Sequence, residues 1–272
     1  MKRAQLGETG IEISRLGLGT VKFGRNQQVK YPTAFELPTD PEIHTLLDVA
    51  RESGVNLLDT APAYGVSEER VGKILAKRDD RDAWVIASKA GEEFIDSESV
   101  FDFSPEHIHD SVERSLRRLD RERIEILLLH SNGDDVRILK ESGAAEALTA
   151  LKAEGKLGAI GISTKTVEGG RLAFEMGLDV VMAAYNPWHT EEEPVLDAAA
   201  AAGRAVLVKK ALGSGWLGQE SGKSKAEQVA ESFEFIFAHP GATAVIVGTI
   251  NPENLAANAR SVAAAVAKSP QR

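Results

Sequence analysis

Cysteine is absent from the 272 residues, which excludes disulfides, thiolate nucleophiles and cysteine-ligated metals at the outset. A reducing compartment agrees with that absence. Long hydrophobic runs are missing too: no window approaches the roughly 18 to 20 apolar residues of a membrane span, and the opening MKRAQLGETG lacks the apolar core of a secretory signal. A cytoplasmic protein with no membrane partner is expected. No basic run offsets a formal net charge of -9, and an acidic surface does not attract nucleic acid. The six histidines show no paired spacing such as H-E-x-x-H. The HIH at 107–109 lies in a helical pattern, where i and i+2 point apart, so no metal site is expected. No heptad repeat announces an oligomeric state.

What is present is alternation. Apolar, β-branched runs recur at ISRLGLGT (13–20), VNLLDT (55–60), AWVIAS (83–88), IEILLLH (124–130), LGAIGIS (157–163), VVMAAYN (180–186), AVLVKK (205–210) and AVIVGT (244–249). Amphipathic segments with legible ends lie between them. Asp40-Pro41 opens one and Gly54 closes it; Ser104-Pro105 opens another, with Ile108, Val112, Leu116 and Leu119 on one face. Ser224 and Glu227 form a capping-box pattern, and Gly155, Gly177 and Gly203 sit where helix C-termini want positive φ. No composition shift or flexible linker divides the chain. Residues 1–272 are therefore expected to form one α/β domain, a (β/α)8 TIM barrel, with an N-terminal β-hairpin turning at Glu8, Thr9 and Gly10 to cap the barrel bottom. A doubly wound open sheet competes poorly, because GLGTVKFG (17–24) fails the G-x-G-x-x-G spacing and no helix is expected directly behind it.

Chemistry in such barrels gathers where strands end. The second run ends in Asp59, the third leads into Lys89 in ASKAG, the fourth ends in His130, and Tyr64 follows Asp59 in the loop. Singly, each has an ordinary reading as a turn carboxylate, surface phenol, solvated cation or structural imidazole. Together, on consecutive strand ends about 5 Å apart, they suit the delivery of a proton to a carbonyl oxygen while hydride arrives at carbon. Asp59 would hold Lys89, whose ammonium favours ionisation of a neighbouring phenol. His130 would orient the carbonyl oxygen by a hydrogen bond. The connections ALGSG (211–215), with Ala211, Gly213 and Gly215, and Gly248-Thr249 through Asn251-Pro252 offer small residues and a helix start for a phosphate.

DTAPAYG, ASKAG, LLLHSN, GIS and VGTINPENLAAN, in that order across nearly the whole chain, resemble the motifs of the aldo-keto reductases. The resemblance implies an NAD(P)H-dependent carbonyl reductase that binds its dinucleotide extended across the barrel top, with Asp59, Tyr64, Lys89 and His130 as the catalytic quartet and Tyr64 as general acid. By the same resemblance Gly19, Thr20, Val21, Asp59, Ser163, Leu212, Thr249 and Asn258 would line the cofactor. Three departures stand out. Thr164 replaces the asparagine, and Met182 the glutamine, that usually hold the nicotinamide carboxamide, and a thioether is a weak acceptor. Lys209 stands nearest the usual stacking aromatic, and Lys209 or Lys210 faces either cofactor or solvent. Gly248 and Asn254 occupy the positions of a basic pair that grips the 2′-phosphate in the family, and Arg260, a helical turn or less beyond Asn258, is either its substitute or a solvated helix residue. NADPH is the cofactor expected from the family's habit, with NADH also accepted.

Substrate identity lies in the loops. The stretches 22–40 and 90–103 are long for strand-to-helix connections. Phe23, Trp188 and Trp216, with Tyr64 and His130, are the expected substrate-lining residues, and the chain stops soon after its last helix, without the long closing loop of many relatives. A small aldehyde or ketone is the expected partner, bound loosely. Two other readings compete: a nucleotide-binding regulatory barrel with little catalysis, and a Schiff-base aldolase using Lys89 or Lys210.

Overall fold

A computed structural model describes residues 1–29, 34–213 and 222–269. Strands β1 (Arg3–Gln5) and β2 (Glu12–Ser14) form the expected antiparallel hairpin. The barrel follows in β3 (Leu16–Gly19), β4 (Leu57–Asp59) and β5 (Val85–Ala90). An antiparallel pair outside it, β6 (Glu92–Ile95) and β7 (Glu98–Phe101), interrupts the series. The barrel then resumes in β8 (Ile124–His130), β9 (Leu157–Ser163), β10 (Val180–Ala184), β11 (Ala205–Lys209) and β12 (Ala242–Val247). These eight strands close in the order β10-β11-β12-β3-β4-β5-β8-β9, each parallel to its neighbours. All eight apolar runs contribute one strand each.

Helices α1 (Val21–Gly24), α2 (Asp40–Glu52), α3 (Ser67–Leu75), α4 (Pro105–Leu119), α5 (Asp135–Glu141), α6 (Ala144–Ala153), α7 (Val167–Glu175), α8 (Glu193–Ala202), α9 (Lys225–Ala238) and α10 (Pro252–Lys268) fill the connections. Their ends follow local chemistry. Ser104 accepts from the His107 N–H, Ser224 and Glu227 cap α9 reciprocally, and Asn251 accepts from the Asn254 N–H. Each such cap contributes roughly 0.5–2 kcal/mol. Three local expectations change. Thr39, rather than Asp40, caps α2, in a box with Glu42. The one-turn α1 does follow β3 directly, because the chain turns inward to bury Phe23. The stretch 90–103, expected only as a long connection, holds the β6–β7 hairpin.

Strand parity separates two apolar layers. Leu57, Ala87, Ile126, Leu128, Ala159, Val180, Met182, Ala205, Leu207 and Ala244 point inward and pack with Leu6 and Ile13 of the hairpin, which thereby plugs the end where the strands begin. Alternate residues such as Leu58, Ile86, Leu127, Ile160, Val181, Val206 and Val245 point outward and meet the helices. Close approach demands glycine at one inward position: a Cβ on Gly161 would stand 1.7 Å from the Val180 carbonyl oxygen. We expect Gly161→Ala to lower stability by about 1–3 kcal/mol in denaturant unfolding, the usual cost of overpacking a tight core. An unchanged midpoint would show that β9 and β10 lie further apart than described.

Candidate active site

The inward parity that buries Leu57, Ala87 and Leu128 carries Asp59, Lys89 and His130 one step higher, to the mouth. Lys89 is 1% exposed; its Nζ donates to Asp59 Oδ1 at 2.5 Å and to the Thr60 carbonyl at 2.9 Å. A cation buried this completely would be costly without those acceptors. Tyr64 ends a 3₁₀ turn, Pro62–Tyr64, just beyond β4. Its ring centroid lies 4.7 Å from Lys89 Nζ and 6.2 Å from the His130 ring, which it meets edge-on. All four residues of the expected quartet thus meet at one place.

Local sequence explains why the tyrosine stands there. Gly65, at φ +63°, turns the chain out of the 3₁₀ turn, and Gly24 lies so close that a Cβ on it would sit 2.4 Å from the Tyr64 carbonyl oxygen. Arg25 donates to the Ala63 carbonyl at 3.0 Å while lying 3.5 Å over the Phe94 ring, which ties the turn to β6. Below it, the buried hydroxyls of Thr20, Thr60 and Ser67 bond one another, and Thr20 donates to the Asp59 carbonyl at 3.0 Å.

His130 also has a partner that the motifs did not reveal. The Glu92 carboxylate, on β6, places Oε2 2.7 Å from His130 Nδ1. Burial acts to raise Glu92, but His130, Ser99 and Arg25 outweigh it and hold the carboxyl down to about 2. Burial lowers His130 below the ordinary imidazole value, opposed by Glu92 and assisted by Lys89 and Lys209.

The next strand ends hold Ser163 and Lys209, again with inward parity. Lys209 Nζ donates to Ser163 Oγ at 3.1 Å and to the Thr164 carbonyl at 2.5 Å, and burial brings it down to about 8. Thr164 itself is fully buried, and its hydroxyl donates to Asp135 Oδ2 at 2.6 Å. Asp135 also accepts from Ser131, the Thr166 hydroxyl and the N–H groups of Lys165 and Thr166. Burial pushes that carboxyl up, and this ring of donors more than reverses it. The side chain expected to meet the carboxamide is therefore spent on loop structure. Met182 is likewise committed, 3% exposed in the inner apolar layer.

The remaining expected positions divide. Gly19 and Gly248 lie close together: a Cβ on Gly19 would stand 3.6 Å from the Gly248 backbone and 3.4 Å from the Ile246 side chain. Gly213 has open space around it, Leu212 packs on the helix-facing core, and Ala211 is buried with its carbonyl accepting from Ser232. Val21 is half-buried at the start of α1; Thr249 and Asn258 are buried near the start of α10, and Asn254 and Arg260 are exposed on it. Lys210 is exposed, at a turn with φ +55°, so neither it nor the ion-paired Lys89 offers the free buried amine of an aldolase. Phe23 is a correction: α1 turns it into the outer core at 0% exposure, so it does not line the mouth. Trp188 is 60% exposed beside the β10 end. Gly215 and Trp216 lie outside the described residues.

The Aldo/keto reductase family model matches residues 15–233. The chain belongs to the aldo-keto reductase family. A family protein of Pseudomonas aeruginosa superposes with a TM-score of 0.86 at 50% identity, covering 97% of this chain and 95% of that one. A Bacillus halodurans aldo-keto reductase shares the fold with a TM-score of 0.77 at 24% identity, over 96% and 91%. The Escherichia coli NADH-specific methylglyoxal reductase is 33% identical over 201 residues, 68% of this chain and 59% of that enzyme. The D-threo-aldose 1-dehydrogenase of a Pseudomonas species is 30% identical over 241 residues, 79% of this chain and 70% of that one. The match to the first of these curated relatives thus spans less than two thirds of its length.

Glu92, Asp135 and Arg25 are the residues that motifs did not single out. The available signals were weak: an acid three positions after Lys89, and an acid five after His130. Two variants probe this geometry. Asp59→Asn leaves the Lys89 ammonium buried without its counter-charge and is expected to cost about 3–5 kcal/mol in denaturant unfolding; a loss below about 1 kcal/mol would mean that the pair is not buried as described. Glu92 and Asp135 are both depressed in the fold, so the stability they add is complete above their unfolded values near 4.5 and 3.8 and is lost as pH falls through the lower folded values. The double variant Glu92→Gln, Asp135→Asn should flatten the acid limb of stability against pH, and an unaltered limb would contradict those depressed values.

Proposed function

We propose that this chain reduces small aldehydes or ketones to alcohols with hydride from NAD(P)H, with Tyr64 as general acid. The observation that carries the reading is the buried Lys89–Asp59 pair beneath Tyr64, with His130 edge-on to the same ring. When bound, the cofactor supplies hydride to the carbonyl carbon. Tyr64 supplies the proton to the carbonyl oxygen, and the Lys89 ammonium favours the phenolate left behind. Asp59 and the Thr60 carbonyl keep that ammonium in one position, while His130 hydrogen-bonds and orients the oxygen.

The residues present fit an extended dinucleotide. Gly19, paired with Asp59 in the barrel register, and Gly248 beside it carry no side chain of their own and let a ligand approach the backbone, and the Lys209–Ser163 pair supplies polar groups where Thr164 and Met182 do not. With Gly248 and Asn254 uncharged at the place of the 2′-phosphate grip, NADH serves alongside NADPH, and the NADH specificity in the name of the E. coli relative supports this. That relative and the aldose dehydrogenase point to small, polar carbonyl compounds. No described helix is long and apolar enough to cross a membrane, and we place the enzyme in the cytoplasm, acting on small molecules rather than nucleic acid. The regulatory alternative is not favoured, since the relatives are named as reductases and dehydrogenases.

Tyr64→Phe is expected to lower carbonyl reduction by about 10²–10⁴-fold and to leave NAD(P)H affinity, read by fluorescence titration, unchanged. Lys89→Met should lose turnover as well. Near-normal reduction by Tyr64→Phe would sink the assignment of the proton donor.

A further inference from the structure

Lys89 and Lys209 both point into the barrel mouth, and they are neutralised differently. Lys89 is ion-paired with Asp59. Lys209 Nζ has neutral acceptors alone, Ser163 Oγ at 3.1 Å and the Thr164 carbonyl at 2.5 Å, and no carboxylate among the described residues forms an ion pair with it. Burial lowers it to about 8, which still leaves it charged at neutral pH. The surrounding charges offset one another: Glu192 at the start of α8 and Asp135 on α5 favour the cation, while Lys210 beside it and Lys165 after β9 oppose it. Nor is this ammonium remote from the chemistry. Ser163 pairs with His130 in the β8–β9 register, so the Lys209 side chain reaches back across β10 to the residue next to His130, whose ring feels its charge. We propose that Lys209 discriminates between the redox states of the nicotinamide, its uncompensated ammonium favouring the neutral reduced ring over the positively charged oxidised ring.

The inference rests on the carbonyl-reductase reading above. A nicotinamide that passes hydride to a carbonyl held by Tyr64 and His130 has to enter the same mouth. Loss of the hydride, with its electron pair, turns a neutral dihydropyridine into a pyridinium bearing one positive charge. The Lys89–Asp59 pair presents little net charge to that change, and Arg25 offsets Glu92. Lys209 has no such partner. Like charges that share a half-buried cleft repel more strongly than they would in water. NAD(P)⁺ is therefore held more weakly than NAD(P)H, which favours departure of the spent nucleotide and biases the chain towards reduction.

Equilibrium binding tests this without any substrate. Affinities for NADH and NADPH are read by fluorescence titration, and those for NAD⁺ and NADP⁺ by calorimetry, at neutral pH for wild type, Lys209→Met and Lys209→Arg. Wild type is expected to bind each reduced nucleotide about ten-fold more tightly than its oxidised partner. Lys209→Met should remove most of that difference by tightening the oxidised forms, and Lys209→Arg, which keeps the charge, should retain it. Equal affinity of wild type for the two redox forms would overturn the proposal even if neither variant folded. A preference undiminished in Lys209→Met would overturn it equally, because a merely structural lysine alters both forms together and leaves their ratio alone. Failure of wild type to bind any of the four nucleotides would bring down the cofactor reading and this proposal with it. Binding at the expected ratio by a protein that reduces no carbonyl compound would overturn the reductase reading and uphold the role of Lys209.

Discussion

The ion pair of Lys89 with Asp59 is the constraint around which the barrel mouth is organised. Neither group tolerates burial alone. Each comes from a different strand, β5 and β4, so the register that closes the barrel also brings the charges together. Once formed, the pair fixes an ammonium below the tyrosine ring. The 3₁₀ turn with Gly65, the approach of Gly24 and the Arg25 contact to Ala63 hold that ring over it. The geometry of the proposed site and the stability of the fold draw on the same hydrogen bonds.

Much of this was legible because strand parity is a strong rule. An inward Leu57, Ala87 or Leu128 dictates an inward Asp59, Lys89 or His130 two residues later, and the eight apolar runs already announced a closed parallel sheet. What could not be read was which loop side chains return to the strand ends. Thr164 looked available for a cofactor amide until Asp135, from the start of α5, captured its hydroxyl. Phe23 looked like a mouth residue because nothing in VKFG reveals that a single helical turn rotates it into the core. Glu92 lay in a stretch read only as a long strand-to-helix connection, and the β6–β7 pairing is what brings it to His130. Long-range side-chain contacts of this kind carry no periodic signature.

The departures from the family pattern also form a connected set. With Thr164 and Met182 withdrawn into structure, Lys209 bonds both Ser163 and the Thr164 carbonyl, a cation nearest the place where the resemblance implied an aromatic ring. Glu92 adds an anion beside His130. The mouth thus relies on fixed charges, and fixed charges in a half-buried cleft act more strongly than they would in water.

The central claim is that hydride crosses to a carbonyl carbon at this mouth. The most direct measurement incubates the protein with a small aldehyde and NADPH or NADH deuterated at the transferring nicotinamide carbon, followed by mass spectrometry of the alcohol. One deuterium on the carbinol carbon, delivered from both nucleotides, is the predicted result. An alcohol without deuterium, or no alcohol with either nucleotide, would contradict the account.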